Sequence, residues 1–332
     1  MDLRLSAEQD QLVDAFRSLY AKHAPPDRVR DAELVGHDPE LWSQLQGLGV
    51  IEMAIDEDRG GWGASMLDLA LVAEQHGRHV APAPLIERQV AARALARLES
   101  PRLDDVLSGD RVTSIALHPS VDGVAPAVPA ASVADDVLVL VGDALCLVPV
   151  SAGSAFENLG SMPLADVGTD GGEVLEGGAV ARQVFETALD EWLLLTAAAL
   201  VGLGARALEI GVEYARERIA FGVPIGSFQA LSHPFADSAA ALDGARLLAY
   251  EAAWAVDEDT DRARELAALA FAFGSESARD ASYRSLHVHG GYGFMLEYDI
   301  QLYWRRARAW PAVWGAPPDG YRRAADARHG RR

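Results

Sequence analysis

The chain has 332 residues, half of them hydrophobic, and a formal net charge of −20 at pH 7. This length and composition suffice for a sizeable core in two or three domains, which excludes wholesale disorder. The negative charge excludes nucleic acid and anionic membranes as general partners. The only cysteine, Cys146, rules out an internal disulfide and a cysteine-cluster metal site, and its apolar context predicts a buried strand position.

We expect a soluble cytoplasmic protein, because the sequence contains neither a recognisable signal peptide nor a membrane span. Residues 1–5 lack the apolar core of a signal peptide. The longest apolar run, residues 192–203, is alanine-rich and too short to cross a bilayer.

Residues 1–100 are predicted to be helical. Ser6 precedes an acidic first turn in the manner of an N-cap, and apolar residues then recur at helical spacing. The loop at 58–63, with the sequence D-R-G-G-W-G, interrupts the helical pattern. Further helices are predicted at 39–48, 65–77 and 85–98.

The remaining chain divides into a β-prone part and a second helical part. In residues 101–185, short β-prone runs at 112–117, 137–141 and 144–150 predict a small β-domain, with 121–132 as a linker. Residues 186–332 predict long helices, whose length indicates a packed bundle and whose many alanines allow a close, extended subunit interface. Their predicted bounds are 187–217, 229–257 and 262–287.

The turn at 218–229, R-I-A-F-G-V-P-I-G-S-F-Q, carries side chains that a bare connector does not need. The planar fork of Arg218 suits a pyrophosphate, Phe221 and Phe228 can pack on a ring, and the Gln229 amide can bond a polar edge. From spacing alone, an ordinary helix–helix turn with a surface arginine and aromatic staples is the slightly favoured interpretation.

The pattern R-x-x-F-G-x-P-I-x-x-F-Q resembles the signature turn of the acyl-CoA dehydrogenase family, and the loop at 58–63 also resembles that family. The resemblance implies a mainly α fold: an N-terminal helical domain at 1–100, a truncated β-barrel at 101–185 and a C-terminal four-helix bundle at 186–332. In the family, this turn reaches the ADP half of a neighbouring subunit's FAD. Arg218, Phe221 and Gln229 are therefore implied to bind FAD.

A second glycine-rich segment, H-V-H-G-G-Y-G-F at 287–294, follows a predicted helix, so it is not a Rossmann fingerprint. It matches the family pattern Q-x-x-G-G-x-G-[YF] at Gly290, Gly291 and Gly293, with His287 in place of the glutamine. The resemblance implies that these four residues also bind FAD. The H-x-H pair lacks a third ligand at regular spacing, so no metal site is predicted.

The carboxylate that removes the substrate proton in this family has no clear counterpart. Counting from Arg305 places its usual position at Trp314, and the alternative position used by some members falls at Trp192. A tryptophan cannot take a proton. Glu191, the next residue, is a weak candidate, but an acid near a helix start also complements the helix dipole. We therefore name no catalytic base.

The expected flavin-ring contacts are missing as well. The family loop T-E-P-x-x-G-S-D is replaced around residues 117–120, and the strand aromatic-I-S/T-N-G has no counterpart. The retained residues are those that, in the family, a subunit contributes to the FAD site of its neighbour. This division resembles the smaller subunit of heteromeric (α2β2) acyl-CoA dehydrogenases, known examples of which often act on steroid-derived CoA thioesters.

The resemblance thus implies FAD-dependent α,β-dehydrogenation of an acyl-CoA substrate by a complex with a larger acyl-CoA dehydrogenase subunit. It also implies an electron-transfer flavoprotein as acceptor. Two alternatives stay open: a flavin-free scaffold that kept the bundle for assembly, and a self-sufficient homo-oligomeric dehydrogenase with Glu191 as base.

Overall fold

The computed structural model describes residues 4–150 and 155–330. Residues 1–3, on which part of the signal-peptide argument rests, lie outside these ranges. The helices are α1 Ala7–His23, α2 Pro26–Asp31, α3 Pro39–Gly47, α4 Met66–Arg78, α5 Leu85–Arg97, α6 Arg102–Leu107, α7 Gly178–Glu217, α8 Gln229–Glu258, α9 Thr260–Val288, α10 Ile300–Ala312 and α11 Pro317–His329. The strands are β1 Thr113–Ile115, β2 Val124–Val128, β3 Asp136–Val141, β4 Ala144–Pro149, β5 Ala165–Gly168, β6 Glu173–Gly177, β7 Ile219–Ala220 and β8 Val223–Pro224.

The chain forms two compact units. Unit 1 comprises Met1–Asp27, Ala70–Ala81 and Leu194–Arg332, and unit 2 comprises Arg28–Leu69 and Pro82–Leu193. Helices α4 and α7 contribute residues to both units. These units follow the packing of the chain, and the three domains predicted at 1–100, 101–185 and 186–332 stay predictions.

Unit 1 is helical and is organised around α9, which packs against α8, α10 and α11. The predicted N-cap of α1 is confirmed: the Ser6 N–H donates to Gln9 Oε1 at 3.0 Å, and the Gln9 N–H donates to Ser6 Oγ at 3.2 Å. Helices α8 and α9 match their predicted bounds within two residues at each end. Helix α7 was predicted to begin at residue 187, but it begins at Gly178 directly after β6.

Helices α4 and α7 approach each other closely in unit 1 because glycines stand at the contact. A methyl group added to Gly77 would overlap the Ala199 carbonyl, and one added to Gly202 would overlap the Glu74 carbonyl. Backbone atoms cannot move aside as a flexible side chain can, so these two positions admit only glycine at this helix spacing.

Replacing Gly202 by alanine is therefore expected to lower the free energy of unfolding by roughly 2–3 kcal/mol, since the two helices must separate to admit the methyl group. Gly244 in α8 provides the matched control, because its nearest atom outside α8 is an ordinary contact with Phe273 at 3.5 Å. Gly244→Ala is expected to raise stability by about 0.5–1 kcal/mol through helix propensity. Urea denaturation of both variants measures the difference, and an equal effect of the two would contradict the close-approach argument.

Unit 1 also buries titratable rings. The Tyr20 hydroxyl lies 3.2 Å from His76 Nδ1, and burial lowers the pKa of His76 to about 3. Burial also lowers the pKa of His79, whose Nδ1 lies 2.9 Å from the Gln75 carbonyl. Both imidazoles are therefore neutral in the folded chain at neutral pH.

Stability is expected to fall as the pH drops below the histidine value of 6.5. The pKa of His76 is lower in the folded state than in the unfolded state, so the unfolded chain gains the proton first. The stabilisation present above pH 6.5 is then lost at up to about 1.4 kcal/mol per pH unit for this residue. Urea denaturation between pH 5.5 and 8 measures the slope. His76→Gln is expected to flatten it, while the exposed control His233→Gln leaves it unchanged.

Unit 2 contains the predicted small β-domain as two sheets that face each other. The larger sheet has the order β1-β3-β4-β6, with β1 parallel to β3 and the other pairs antiparallel, and β2 pairs antiparallel with β5. Cys146 is buried on β4, as predicted. Both sheets contribute alternate side chains to one core, including Ala125, Val128, Val137, Val139, Cys146, Val148 and Val167.

The segment 121–132 is not the linker that we predicted. It contains β2, in which Ala125 pairs with Val167 of β5 and both side chains are buried. We missed this strand because it contains Pro126, and proline is rare in central strands. Strand β2 can contain a proline because both strands of a two-stranded sheet are edge strands.

Helix α7 is more apolar than we predicted. Among the described residues, it is the helix with the length and composition of a membrane span, since its most apolar 18-residue window has a mean hydropathy of 1.7. Within that window, 72% of the residues are buried inside the protein. The apolar residues of α7 are thus used to build the protein core.

Candidate functional site

The predicted turn between α7 and α8 is a two-residue β-hairpin in unit 1. Strands β7 and β8 pair, and the Ile225 N–H donates to the Arg218 carbonyl at 2.8 Å to close the ladder. The two loop residues, Phe221 and Gly222, have φ angles of 52° and 81°. Positive φ at both positions is the geometry of a type I′ turn, which glycine adopts freely and phenylalanine rarely does.

The hairpin directs its distinctive side chains outward. Phe221 is 95% exposed, although its ring meets Phe228 edge-on with centroids 6.2 Å apart. Arg218 and Gln229 are also exposed. Within residues 4–150 and 155–330, the Arg218 guanidinium has no hydrogen-bond or ion-pair partner. The hairpin therefore offers a free cation, a bare aromatic ring and an amide to a molecule outside this chain.

The second predicted segment forms a tight turn after α9. Gly290 has a φ of 59° and, like Gly291, has no other group near the place of a side chain, so the backbone is accessible there. Gly293 is buried, and a methyl group on it would press against the Leu286 carbonyl. His287 is exposed, with its ring centroid 6.0 Å from that of Tyr283.

Tyr214 brings the two segments together within unit 1. Its carbonyl accepts a hydrogen bond from the Arg218 N–H at 2.9 Å, and its ring stacks on His289 with a centroid distance of 4.1 Å. His289 Nδ1 in turn lies 2.7 Å from the Ser285 carbonyl, and burial lowers the pKa of this histidine. His289 thus has a packing role. Through Tyr214, the hairpin and the glycine turn lie at the same end of the bundle.

Glu191 lies in unit 2 and is 1% exposed. Burial alone would raise its pKa, but the neighbouring Arg93 and Arg97 lower the pKa below its ordinary value. Arg93 Nε donates to Oε1 at 2.9 Å, Arg97 Nη1 donates to Oε2 at 3.0 Å, and Arg97 Nη2 also donates to Oε1. Both carboxylate oxygens are engaged, so Glu191 has the geometry of a structural ion pair and is a poor proton acceptor.

Glu87, on α5 of unit 2, is a half-buried residue whose perturbed carboxyl group the sequence did not reveal. Its Oε1 accepts a hydrogen bond from the indole N–H of Trp192 at 3.2 Å, and burial raises its pKa. An acid in the first turn of a helix is ordinarily a surface residue. Only its contact with Trp192 of α7 shows that this acid is partly removed from solvent.

Two protein-family models match the chain. "Acyl-CoA dehydrogenase, N-terminal domain" covers residues 6–102, and "Acyl-CoA dehydrogenase, C-terminal domain" covers residues 182–316. Acyl-CoA dehydrogenase IpdE2 of Mycolicibacterium smegmatis is 30% identical over 328 residues, which are 96% of this chain and 98% of that protein. The chain belongs to the acyl-CoA dehydrogenase family. Members of this family are FAD-dependent oxidoreductases.

Solved structures of this family match the chain along its whole length. The ChsE4–ChsE5 complex from Mycobacterium tuberculosis is similar at a TM-score of 0.90 and 26% identity, with 100% of both chains covered. A variant of the steroid ACAD Tcur3481–Tcur3483 has a TM-score of 0.88 at 26% identity, covering 97% of this chain and 98% of that one. The predicted acyl-CoA dehydrogenase fold is thereby confirmed.

The hairpin and the glycine turn fit the adenosine diphosphate half of FAD by their chemistry. An unpaired arginine suits the pyrophosphate, and the open backbone at Gly290 and Gly291 allows a phosphate or sugar to approach closely. The surroundings are apolar and exposed, which is typical of an interaction surface. The large exposed apolar side chains there are Ile219, Phe221, Val223, Phe228, Tyr283, Tyr292, Phe294, Met295 and Leu296.

The two positions at which the sequence predicts the family's catalytic carboxylate, Trp314 and Trp192, are both packed indoles. Trp314, in unit 1, meets Phe271 edge-on with centroids 5.2 Å apart. Trp192, in unit 2, is 2% exposed and hydrogen-bonded to Glu87. The described residues contain no group of three or more His, Cys, Asp or Glu side chains able to hold a metal ion.

Proposed function

We propose that this chain is the smaller subunit of a hetero-oligomeric, FAD-dependent acyl-CoA dehydrogenase that acts on a steroid-derived CoA thioester. One contrast carries the proposal. Arg218, Phe221 and Gln229 are exposed, and among the described residues the Arg218 guanidinium has no hydrogen-bond or ion-pair partner, whereas the two positions counted for a proton-removing carboxylate are Trp192 and Trp314. A subunit built this way completes the cofactor site of another chain.

In this proposal, the residues of this chain bind and orient the cofactor. Arg218 would hold the FAD pyrophosphate by charge-assisted hydrogen bonds, and Phe221 and Gln229 would contact the adenosine half. Gly290, Gly291 and Gly293, with His287, would form the second part of this binding surface. The chemistry that FAD would supply is that of a hydride acceptor. The larger subunit supplies the carboxylate that removes the α-proton.

The relatives support the hetero-oligomer and the substrate class. The ChsE4–ChsE5 structure is a complex of two named subunits, and Tcur3481–Tcur3483 is named a steroid ACAD. The chain covers 98% of IpdE2, so it resembles that protein over its full length. As the electron acceptor we propose an electron-transfer flavoprotein, which the family resemblance implies.

Co-expression tests this proposal. The full-length chain is purified alone and together with a larger acyl-CoA dehydrogenase homologue, and the FAD content and the dehydrogenation of a steroid-derived CoA thioester are measured. We expect a colourless, inactive chain alone and a yellow, active complex. A yellow, active preparation of the chain alone would instead support a homo-oligomeric enzyme. A chain that assembles with the larger subunit but leaves its FAD content unchanged would support a scaffold.

A further inference from the structure

Unit 2 contains an arginine-lined pocket that the proposed function does not use. Its volume is about 250 Å³, and Arg59, Arg93 and Arg97 line it together with Asp56 and the apolar residues Ala54, Ile55 and Ala96. Arg59 comes from the loop before the glycines at 60–63, while Arg93 and Arg97 lie one turn apart on α5. Three cations around one small concavity are unusual in a chain with a net charge of −20.

Two of these arginines are held in place by a buried carboxylate. The buried Glu191 carboxylate anchors both Arg93 and Arg97, and Arg93 Nη1 also donates to the Ala54 carbonyl at 2.8 Å. An anchored guanidinium loses little side-chain entropy when it binds a ligand, because its rotamer is already fixed. The pocket is therefore preorganised for whatever it binds.

The charge of the pocket lining itself is positive. Three arginines and one carboxylate, Asp56, line the pocket. Outside the lining, the buried Glu191 pairs with Arg93 and Arg97, and the solvent-screened Glu99 pairs with Arg59. The third arginine, Arg59, pairs at 2.8 Å with Glu99, whose side chain is 76% exposed. Such an exposed pair is weak. Within the part of the chain that the structure describes, Arg59 Nε and Nη1 have no hydrogen-bond partner.

We propose that this pocket binds a small dianionic oxyanion, either a phosphate group or a short dicarboxylate. Arginine is the side chain best suited to both, because its fork donates two parallel hydrogen bonds to a pair of oxygens. The volume is below the usual range for sites that enclose a drug-sized ligand, so it excludes a whole acyl-CoA. The pocket uses none of the residues of the hairpin or the glycine turn, and the proposal is independent of the dehydrogenase role.

Calorimetric titration of the full-length chain with inorganic phosphate and, separately, with succinate tests the proposal. The first variant is Arg59→Gln, which removes one lining cation and leaves the Glu191 ion pairs intact. We expect it to weaken binding by roughly fivefold. Asp56→Asn removes the lining carboxylate and is expected to tighten binding by about threefold.

Arg102→Gln is the matched control, because Arg102 pairs with the exposed Glu173 outside this pocket. It is expected to leave binding unchanged. Tighter binding of phosphate assigns the pocket to a phosphate-bearing ligand, and tighter binding of succinate assigns it to a dicarboxylate. Binding weaker than about 10 mM for both anions overturns the proposal, as does equal binding by the three variants.

Discussion

Replacing Arg218 by alanine is expected to weaken FAD binding by the assembled complex by about 30- to 150-fold, which corresponds to about 2–3 kcal/mol. The guanidinium is exposed and has no partner among the described residues, so its removal breaks no contact within this chain. The expected loss of binding free energy therefore comes only from the contact between Arg218 and the pyrophosphate. Flavin absorbance of the purified complex, and Kd from back-titration of the deflavinated complex with FAD, measure it.

Arg216 provides the matched control for this experiment. It lies two residues earlier on α7, is also exposed, and likewise lacks a hydrogen-bond or ion-pair partner in the described ranges. Arg216→Ala changes the same charge and is expected to leave the FAD content unchanged. Arg218→Lys keeps the charge but not the planar fork, so an intermediate Kd is expected. Equal FAD loss in both alanine variants would mean that general charge, and not the hairpin, holds the cofactor.

The hairpin shows what the sequence reveals about the site. Its amino-acid sequence identified the family and the candidate residues, because the pattern spans twelve consecutive positions. It did not reveal that Phe221 occupies a left-handed backbone conformation, which glycine usually takes. Nor did it show that Tyr214 and His289, 75 residues apart, stack and thereby place both cofactor segments at one end of the bundle.

The elements that sequence reasoning missed depend on contacts between distant segments. Strand β2 is short and contains a proline, and only its pairing with β5, some 40 residues later, makes it a strand. The start of α7 was misplaced because a glycine-rich junction precedes it, although the helix begins directly at Gly178. Likewise, the partial burial of Glu87 and the full burial of Glu191 depend on contacts between α5 and α7, about 100 residues apart.

These two carboxyl groups are expected to respond in opposite directions to the same change. Glu191→Gln is expected to lower the free energy of unfolding by about 3–5 kcal/mol at pH 7.5, because it leaves the arginines at positions 93 and 97 without their buried counter-charge. Glu87→Gln is expected to be neutral or to stabilise by up to about 1 kcal/mol, because glutamine still accepts the Trp192 hydrogen bond without a charge to desolvate.

The pH dependence separates the two effects. The pKa of Glu191 is lowered on folding, so its stabilisation is present above the ordinary value of 4.5 and fades as the pH falls toward and below that value. The pKa of Glu87 is raised, so its burial becomes more costly as the pH rises through the folded pKa. Urea denaturation at pH 4 and pH 8 therefore should show a larger penalty for Glu191→Gln and a larger gain for Glu87→Gln at pH 8. If Glu87→Gln instead abolishes activity of the complex without a change in stability, then Glu87 has a chemical role, and the assignment of the proton-removing carboxylate to the larger subunit fails.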